Sequence, residues 1–178
     1  RLLPSGRYVS CDYGTQNATV FLLWNKGTDG VWYCIREYYY SGRTEGKQKT
    51  DSEYADDLES WLEETKIKGI IVDPSAASFI AELRKRGYKV VKAKNNVEDG
   101  IRVVGTKLNQ EAIIFADSCV NTIQEFGSYI WDEAAAAHGE DRPVKEHDHA
   151  MDALRYFVYT ILNNQTAIIR SKRKAGFH

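Results

Sequence analysis

The stretch YVSCDYGTQNATVFLLW, residues 8–24, sets an acid inside a run that otherwise belongs in a core. Residues 7–13 and 18–25 are two β-prone runs separated by the turn GTQN. Strand alternation puts Asp12 on the face opposite Cys11 and Tyr13. A carboxylate buried there is costly unless another group pairs with it or coordinates it. A third run, GVWYCIREYYY at 30–40, follows the turn signal GTDG. Three strands with such short connections make an antiparallel meander.

Beyond the meander the pattern changes. SGRTEGKQKT, 41–50, is a polar, glycine-containing loop and the candidate mobile segment. Tyr54, Ala55, Leu58, Trp61 and Leu62 recur at helical spacing, which predicts a helix over about 51–65 capped by Thr50 or Asp51. KGIIVDP, 68–74, is a short buried strand stopped by a helix start. SAASFIAELRKRG, 75–87, is a helix with basic residues in its last turn, and YKVVKAK, 88–94, is the next strand. Helix–strand alternation calls for parallel pairing through crossover helices. The fold class is therefore α/β, a mixed five-stranded sheet flanked by helices. VEDGIRVVGTKL is weakly helical, and QEAIIFAD reads as a short strand or the arm of an additional β-hairpin. SCVNTIQEFGSYIW predicts a helix ending near Gly127 or a little later, DEAAAAHGEDRPVKE a loop despite its alanines because Gly139 and Pro143 flank acids and bases, and HDHAMDALRYFVYTIL, 147–162, the last helix. The expected organisation is a linker remnant at 1–6, one domain at 7–163 and a basic, flexible tail at 164–178. Arg rather than Met at position 1 fits a domain cut from a longer protein.

Composition narrows the class. Hydrophobic residues make up 43% and charged residues 28% of 178, ordinary for one globular domain. No apolar run approaches the ~20 residues needed to span a bilayer, so no membrane role is expected. Three cysteines with no CxxC pair argue against a disulfide framework or structural zinc site and favour a reducing compartment. A formal net charge of −1 is unlike a non-specific nucleic-acid binder. The charges are nonetheless segregated, with acids in DSEYADDLESWLEE and bases in RKRGYKVVKAK and RSKRK. Local basic patches can follow a phosphate backbone while acids hold metal ions.

Three acids stand out. Asp73 follows GIIV at the C-terminal end of a strand, where α/β sheets place their sites, although it also serves as a cap for the helix that follows. In the last helix Ala150, Ala153, Leu154, Phe157, Val158 and Ile161 form the apolar stripe. His149 and Asp152 lie about 60° apart on its flank, with Asp148 on its outer side. Acids at a helix N-terminus are also favoured by the macrodipole alone, a reading that suits Asp148 better than Asp152. If the first strand lies beside the Asp73 strand, Asp12 and Asp73 approach each other and raise each other's pKa. A divalent cation removes that penalty, and hard oxygen ligands select Mg²⁺ or Mn²⁺ over zinc. Three carboxylates can hold two such ions about 4 Å apart, the geometry of phosphodiester hydrolysis.

An aspartate in the first strand, another ending the fourth and a late helical acid resemble the pattern of ribonuclease H-like (RuvC-like) nucleases. Within that superfamily the chain resembles the C-terminal nuclease domain of the large terminase subunit of tailed bacteriophages. The resemblance rests on SCDYGTQNATVFLLW, GIIVDPSAASFIAELRKRG and KNNVEDGIRVV, and above all on YIWDEAAAAHGEDRPVKEHDHAMDALRYFVY. It implies strand order 3-2-1-4-5 with strand 2 antiparallel. It implies a metal-dependent endonuclease that cuts concatemeric double-stranded DNA at the start and end of packaging. Asp12, Asp73 and Asp152 would be metal ligands for two divalent ions, Mg²⁺ or Mn²⁺. His149 would be a ligand or a group supporting the ligands. The implied partners are DNA, an ATPase domain N-terminal in the same polypeptide, the portal protein and the small terminase subunit, in the host cytoplasm. The GxxxxGK[ST] loop is absent, so these residues do not supply that ATPase.

Lys92, Lys94 and Lys107, with RSKRK, are candidates for contacting DNA, the plainer reading of each being a solvated surface charge. The 41–50 loop and LNQEAIIFAD are expected to border the DNA groove. DYGTQNAT also resembles the phosphate loop of actin-like and sugar-kinase proteins, but the second lobe those folds need is missing. A non-catalytic portal-docking module is the remaining alternative.

Overall fold

The first strand, β1 (Leu2–Asp12), pairs on both sides, and its last residues before Asp12, Val9 to Cys11, are fully buried. β2 (Ala18–Gly27) and β3 (Trp32–Ser41) complete the antiparallel meander on one side. On the other side β4 (Gly69–Val72) runs parallel to β1, and β5 (Val90–Lys92) runs parallel to β4. A computed structural model provides these coordinates and describes residues 1–14, 16–136 and 148–163. The expected order appears intact, extended by one strand: the sheet is six-stranded, β5-β4-β1-β2-β3-β6.

That sixth strand corrects the expected β-hairpin. β6 (Ile113–Phe115) lies parallel to β3, pairing Trp32 with Ile113 and Cys34 with Phe115. It is reached through α4 (Val97–Asn109), a crossover that brings the chain back in the same direction as β3. β1 opens at Leu2, ahead of the expected start at residue 7, with a register shift between Leu2 and Arg7. The 41–50 segment contains a single helical turn, α1 (Gly42–Glu45), closed by Gly46 at a φ of 70°. The Tyr40 hydroxyl donates to the Lys47 carbonyl at 2.7 Å and holds this turn against the sheet.

Helices cover both faces. α2 (Asp51–Leu62) starts at a complete capping box, in which Thr50 and Glu53 satisfy each other's amides. With α3 (Ala77–Lys85) it covers one face, packing on Val9, Cys11, Phe21 and Leu23. The opposite face carries α6 (His149–Phe157), which continues as a π-helical turn over Val158–Leu162. Phe157 stacks on Trp24 at 4.3 Å between centroids and meets Trp32 edge-on at 5.2 Å. Aromatic contacts of this kind anchor α6 to β2 and β3. The Trp24 indole donates to Ser10 Oγ at 2.9 Å, so the polar position of β1 nearest this core is satisfied.

α5 (Val120–Ala136) runs past Gly127 and on into the alanines of the expected loop. The alanine run favours helix enough to outweigh one internal glycine, a cost of about 1 kcal/mol. The remainder of the expected loop, 137–147, and the tail at 164–178 lie outside the described residues. The first turn of α5 is tied to β3 by Glu37. Its Oε1 accepts from the Asn121 amide at 2.7 Å, and its Oε2 accepts from the Thr122 amide at 2.9 Å and hydroxyl at 2.7 Å. A carboxylate on the amides of a helix N-terminus is favoured by both hydrogen bonding and dipole. Glu37→Ala is therefore expected to destabilise the domain by about 2 kcal/mol, read as a lowered midpoint in urea unfolding.

Candidate functional site

The parallel register of β1 and β4 sets the site. Cys11 is level with Val72, so Asp12 and Asp73 follow side by side at the C-terminal ends of adjacent strands. Val9 and Cys11 point into the core under α2 and α3, and alternation turns Asp12 toward α6. α6 then brings His149 and Asp152 to the same place. Asp12, Asp148, His149 and Asp152 line one cleft of about 540 Å³, with Tyr39 of β3 and Arg43 of α1 among its other walls.

Asp12 is paired but poorly hydrated. His149 Nδ1 lies 2.9 Å from Asp12 Oδ2, and the two side chains are only 20% and 14% exposed, respectively. Burial pushes the Asp12 carboxyl up; the His149 bond opposes this, and Asp148 and Asp73 add to the rise. His149 is raised in turn, chiefly by its bond to Asp12 and against its own desolvation. Asp152 is pushed from 3.8 to about 6, first by burial and next by the charge of Asp12. Arg155 offsets part of that rise: its guanidinium meets Asp152 Oδ1 at 2.9 Å and also donates to the Asn95 carbonyl at 2.9 Å. The Arg155 stem lies against Gly100 of α4, where an added Cβ would sit 2.6 Å from Arg155 Cγ. Glycine at that position leaves room for the arm that restrains Asp152.

Asp73 behaves differently. Its Oδ1 accepts from the Ser75 amide at 2.8 Å, and its Oδ2 accepts from Asn95 Nδ2 at 3.3 Å. Burial pushes its carboxyl up, but hydrogen bonds from Ser75, Tyr156 and Asn95 outweigh it and leave the group below its ordinary value. It does not cap α3, whose N-cap is Ala76 and has no side-chain capping bond.

Asp12, His149 and Asp152 are thus brought into one cleft, whereas Asp73, bonded by Asn95, is not among the described residues lining it, although its charge reaches Asp12. Lys92, Lys94 and Lys107 are not among the described residues lining that cleft. Lys92 ends β5, the Lys94 amide donates to Thr160 Oγ1 at 3.0 Å, and Lys107 lies in the last turn of α4. The 41–50 segment does reach the cleft, through Ser41, Arg43 and Thr44. The sequence reading missed Arg43, and it placed Asp148 on the outer side of its helix although the residue faces the cleft. It also missed Glu125 and Tyr39, which bond to each other and, through Glu125, to α6. Among the described residues no three His, Cys, Asp or Glu side chains already surround one point at metal-ligand spacing. The donor set is nonetheless one of hard, underhydrated carboxylates, which suits a hard divalent cation.

The decisive comparison is with the large terminase of a thermophilic bacteriophage, solved in complex with ADP. It is 58% identical, with a TM-score of 0.82, over 89% of this chain and 40% of that one. Over nearly its whole length the chain is similar to part of a large terminase. The large terminase subunit of Escherichia phage T5 is 27% identical over 86% of the chain and 34% of its own length. The domain therefore spans well under half the length of these relatives. The terminase nuclease domain of bacteriophage SPP1, solved with bound Mn, shares the fold at 18% identity and a TM-score of 0.54, over 85% of this chain and 84% of that one. No family model matches the chain.

The electrostatics of this domain fix the sign of a pH response. For Asp12 and Asp152 the folded pKa lies above the unfolded one, so the charged carboxylate opposes folding above the folded pKa. That penalty is relieved as pH falls through about 6 toward 3.8. His149, also raised, stabilises below its unfolded pKa and loses that contribution as pH rises through its folded one. All three act in one direction. In EDTA the wild-type domain is expected to be on the order of 2 kcal/mol more stable at pH 5 than at pH 8. Asp12→Asn is expected to flatten that slope, measured by urea midpoints across the range.

Proposed function

We propose that this domain hydrolyses phosphodiester bonds of double-stranded DNA during phage genome packaging, with divalent cations held by Asp12, Asp152 and Asp73. The observation that carries the reading is the pair Asp12 and Asp152. Burial raises both carboxylates, and the charge of Asp12 raises Asp152 further, while the two face one open cleft, a cost that a bound cation would remove. The likeness to the thermophilic phage terminase and the Mn bound in the SPP1 nuclease support the same reading. When bound, such ions activate water and stabilise the leaving oxygen of a phosphodiester. Mg²⁺ or Mn²⁺ matches the oxygen donors, and two ions match the number of carboxylates.

The chain's own residues have separate tasks. His149 holds Asp12 in orientation through Oδ2 and leaves Oδ1 without that bond. Arg155 holds one oxygen of Asp152 and keeps its charge from adding fully to that of Asp12. Arg43, at the cleft wall, supplies positive charge where a DNA phosphate would approach an otherwise acidic surface. Lys92, Lys94 and Lys107 would contact the duplex farther from the cleft. Nothing in the chain resembles a base-reading motif, so cutting should have little sequence preference. In the complete protein the domain would act with an N-terminal ATPase domain, the portal and the small subunit in the host cytoplasm.

Supercoiled plasmid incubated with Mn²⁺, Mg²⁺ or EDTA tests this reading. Cleavage is expected with Mn²⁺ or Mg²⁺ and none with EDTA. Asp12→Ala, Asp73→Ala and Asp152→Ala should each slow cutting about a hundredfold or more. Cutting that survives EDTA, or all three substitutions, would sink the proposal. ATP binding without cutting would favour the kinase-like alternative. His149→Ala is expected to retain Mn²⁺, measured by titration calorimetry, while cutting more slowly. Complete loss of Mn²⁺ in that variant would make His149 a primary ligand.

A further inference from the structure

Asp148 occupies the N-cap of α6, yet its side chain makes no capping hydrogen bond. The amides that an N-cap side chain normally serves belong to the second and third helical residues. Here those are Ala150 and Met151, and both donate to Glu125 Oε2, at 2.7 and 3.2 Å. Glu125 comes from α5 and is only 6% exposed. Its other oxygen, Oε1, accepts from the Tyr39 hydroxyl of β3 at 2.9 Å. A buried carboxylate is tolerated only when its lone pairs are used, and these bonds together with the helix dipole use them. Because Glu125 takes the amides, the Asp148 carboxylate is not folded back onto its helix and lines the cleft.

We infer that Glu125, held by Tyr39, is the positioning residue of the acid cleft: capping α6 from α5, it fixes the turn that sets His149 and Asp152 against Asp12. Three elements then meet at one carboxylate. β3 orients it through Tyr39, α5 carries it, and α6 is placed by it. His149 is the residue directly before the two capped amides, and Asp152 directly follows them. A small shift of this turn therefore moves both site residues together relative to Asp12 on β1. The inference rests on the nuclease reading proposed above and adds to it a residue that touches neither DNA nor metal.

The test uses this 178-residue chain, supercoiled plasmid and Mn²⁺. Glu125→Ala is expected to speed hydrogen exchange at the Ala150 and Met151 amides. It should also raise the Mn²⁺ concentration for half-maximal cutting about 10- to 100-fold, the usual effect of losing a group that orients ligands. Glu125→Gln keeps an oxygen for the two amides and should restore most of the Mn²⁺ response. Tyr39→Phe should fall between the two. Thr50→Ala, which breaks the capping box of α2 on the opposite face, provides a control for simple destabilisation. It should lower the urea midpoint while leaving Mn²⁺ dependence unchanged. Should Glu125→Ala not fold, Glu125→Asp withdraws the carboxylate by one methylene and is expected to weaken the Mn²⁺ response in the same direction. Faster exchange with an unaltered Mn²⁺ response would reduce Glu125 to a cap and overturn the inference alone. A wild-type chain that neither binds Mn²⁺ nor cuts would overturn the nuclease reading, and this inference with it.

Discussion

The structure depends on one buried carboxylate at the tip of its central strand. Asp12 sits where β1 leaves the sheet, between two neighbouring strands and beneath a helix, and water reaches little of it. Most polar groups in such a place would be selected against, because desolvating a charge costs more than a single neutral hydrogen bond returns. The surroundings answer that cost only in part. His149 pairs with it, but Asp148, Asp152 and Asp73 bring further negative charge toward it instead of relieving it. The site is therefore held under electrostatic tension by a rigid scaffold, an arrangement typical of functional centres rather than of structural ion pairs.

Rigidity comes from the apolar side of α6. Phe157 is wedged between Trp24 and Trp32, and the helix cannot slide along the sheet without breaking that stack. Arg155 works from the other flank, joining Asp152 to the Asn95 carbonyl in the segment that also contacts Asp73 through the Asn95 side chain. The acids of β1, β4 and α6 are thus linked by a core and a hydrogen-bonded loop that have no chemical task of their own. Gly100 belongs to the same arrangement, since only a hydrogen fits between α4 and the Arg155 stem.

Much of this was legible in the chain, for identifiable reasons. Strand alternation alone turned Asp12 away from Cys11, and a short apolar run ending in Asp73 marked a strand end. The apolar stripe of the last helix placed Asp152 at the core's edge, and burial along α6 is wider than that stripe, taking in Met151, Arg155 and Tyr156 as well. β6 was not legible as a parallel strand, because three residues carry no usable period and its partner lies some eighty positions earlier in the chain. The end of α5 was not legible because Gly139 and Pro143 mark a loop in sequence, while the alanines before them extend the helix. Glu125 gave no signal whatever. An acid in an amphipathic helix looks like a solvent-facing residue until the neighbouring helix is in place, and its meaning comes entirely from what Tyr39 and α6 present to it. Lys92, Lys94 and Lys107 are prominent in sequence but do not line the cleft, whereas Arg43, inconspicuous in a polar loop, lines it together with the acids.

The two borders of the sheet have a consequence for how the domain behaves in company. Both edge strands, β5 and β6, are only three residues long. Unpaired strand edges are templates on which other chains can add, and shortening them is a common protection against such growth. The long strands β1 and β2 lie in the interior of the sheet, each with a partner strand on both sides. Copies of this domain at high concentration should therefore have little tendency to stick edge to edge.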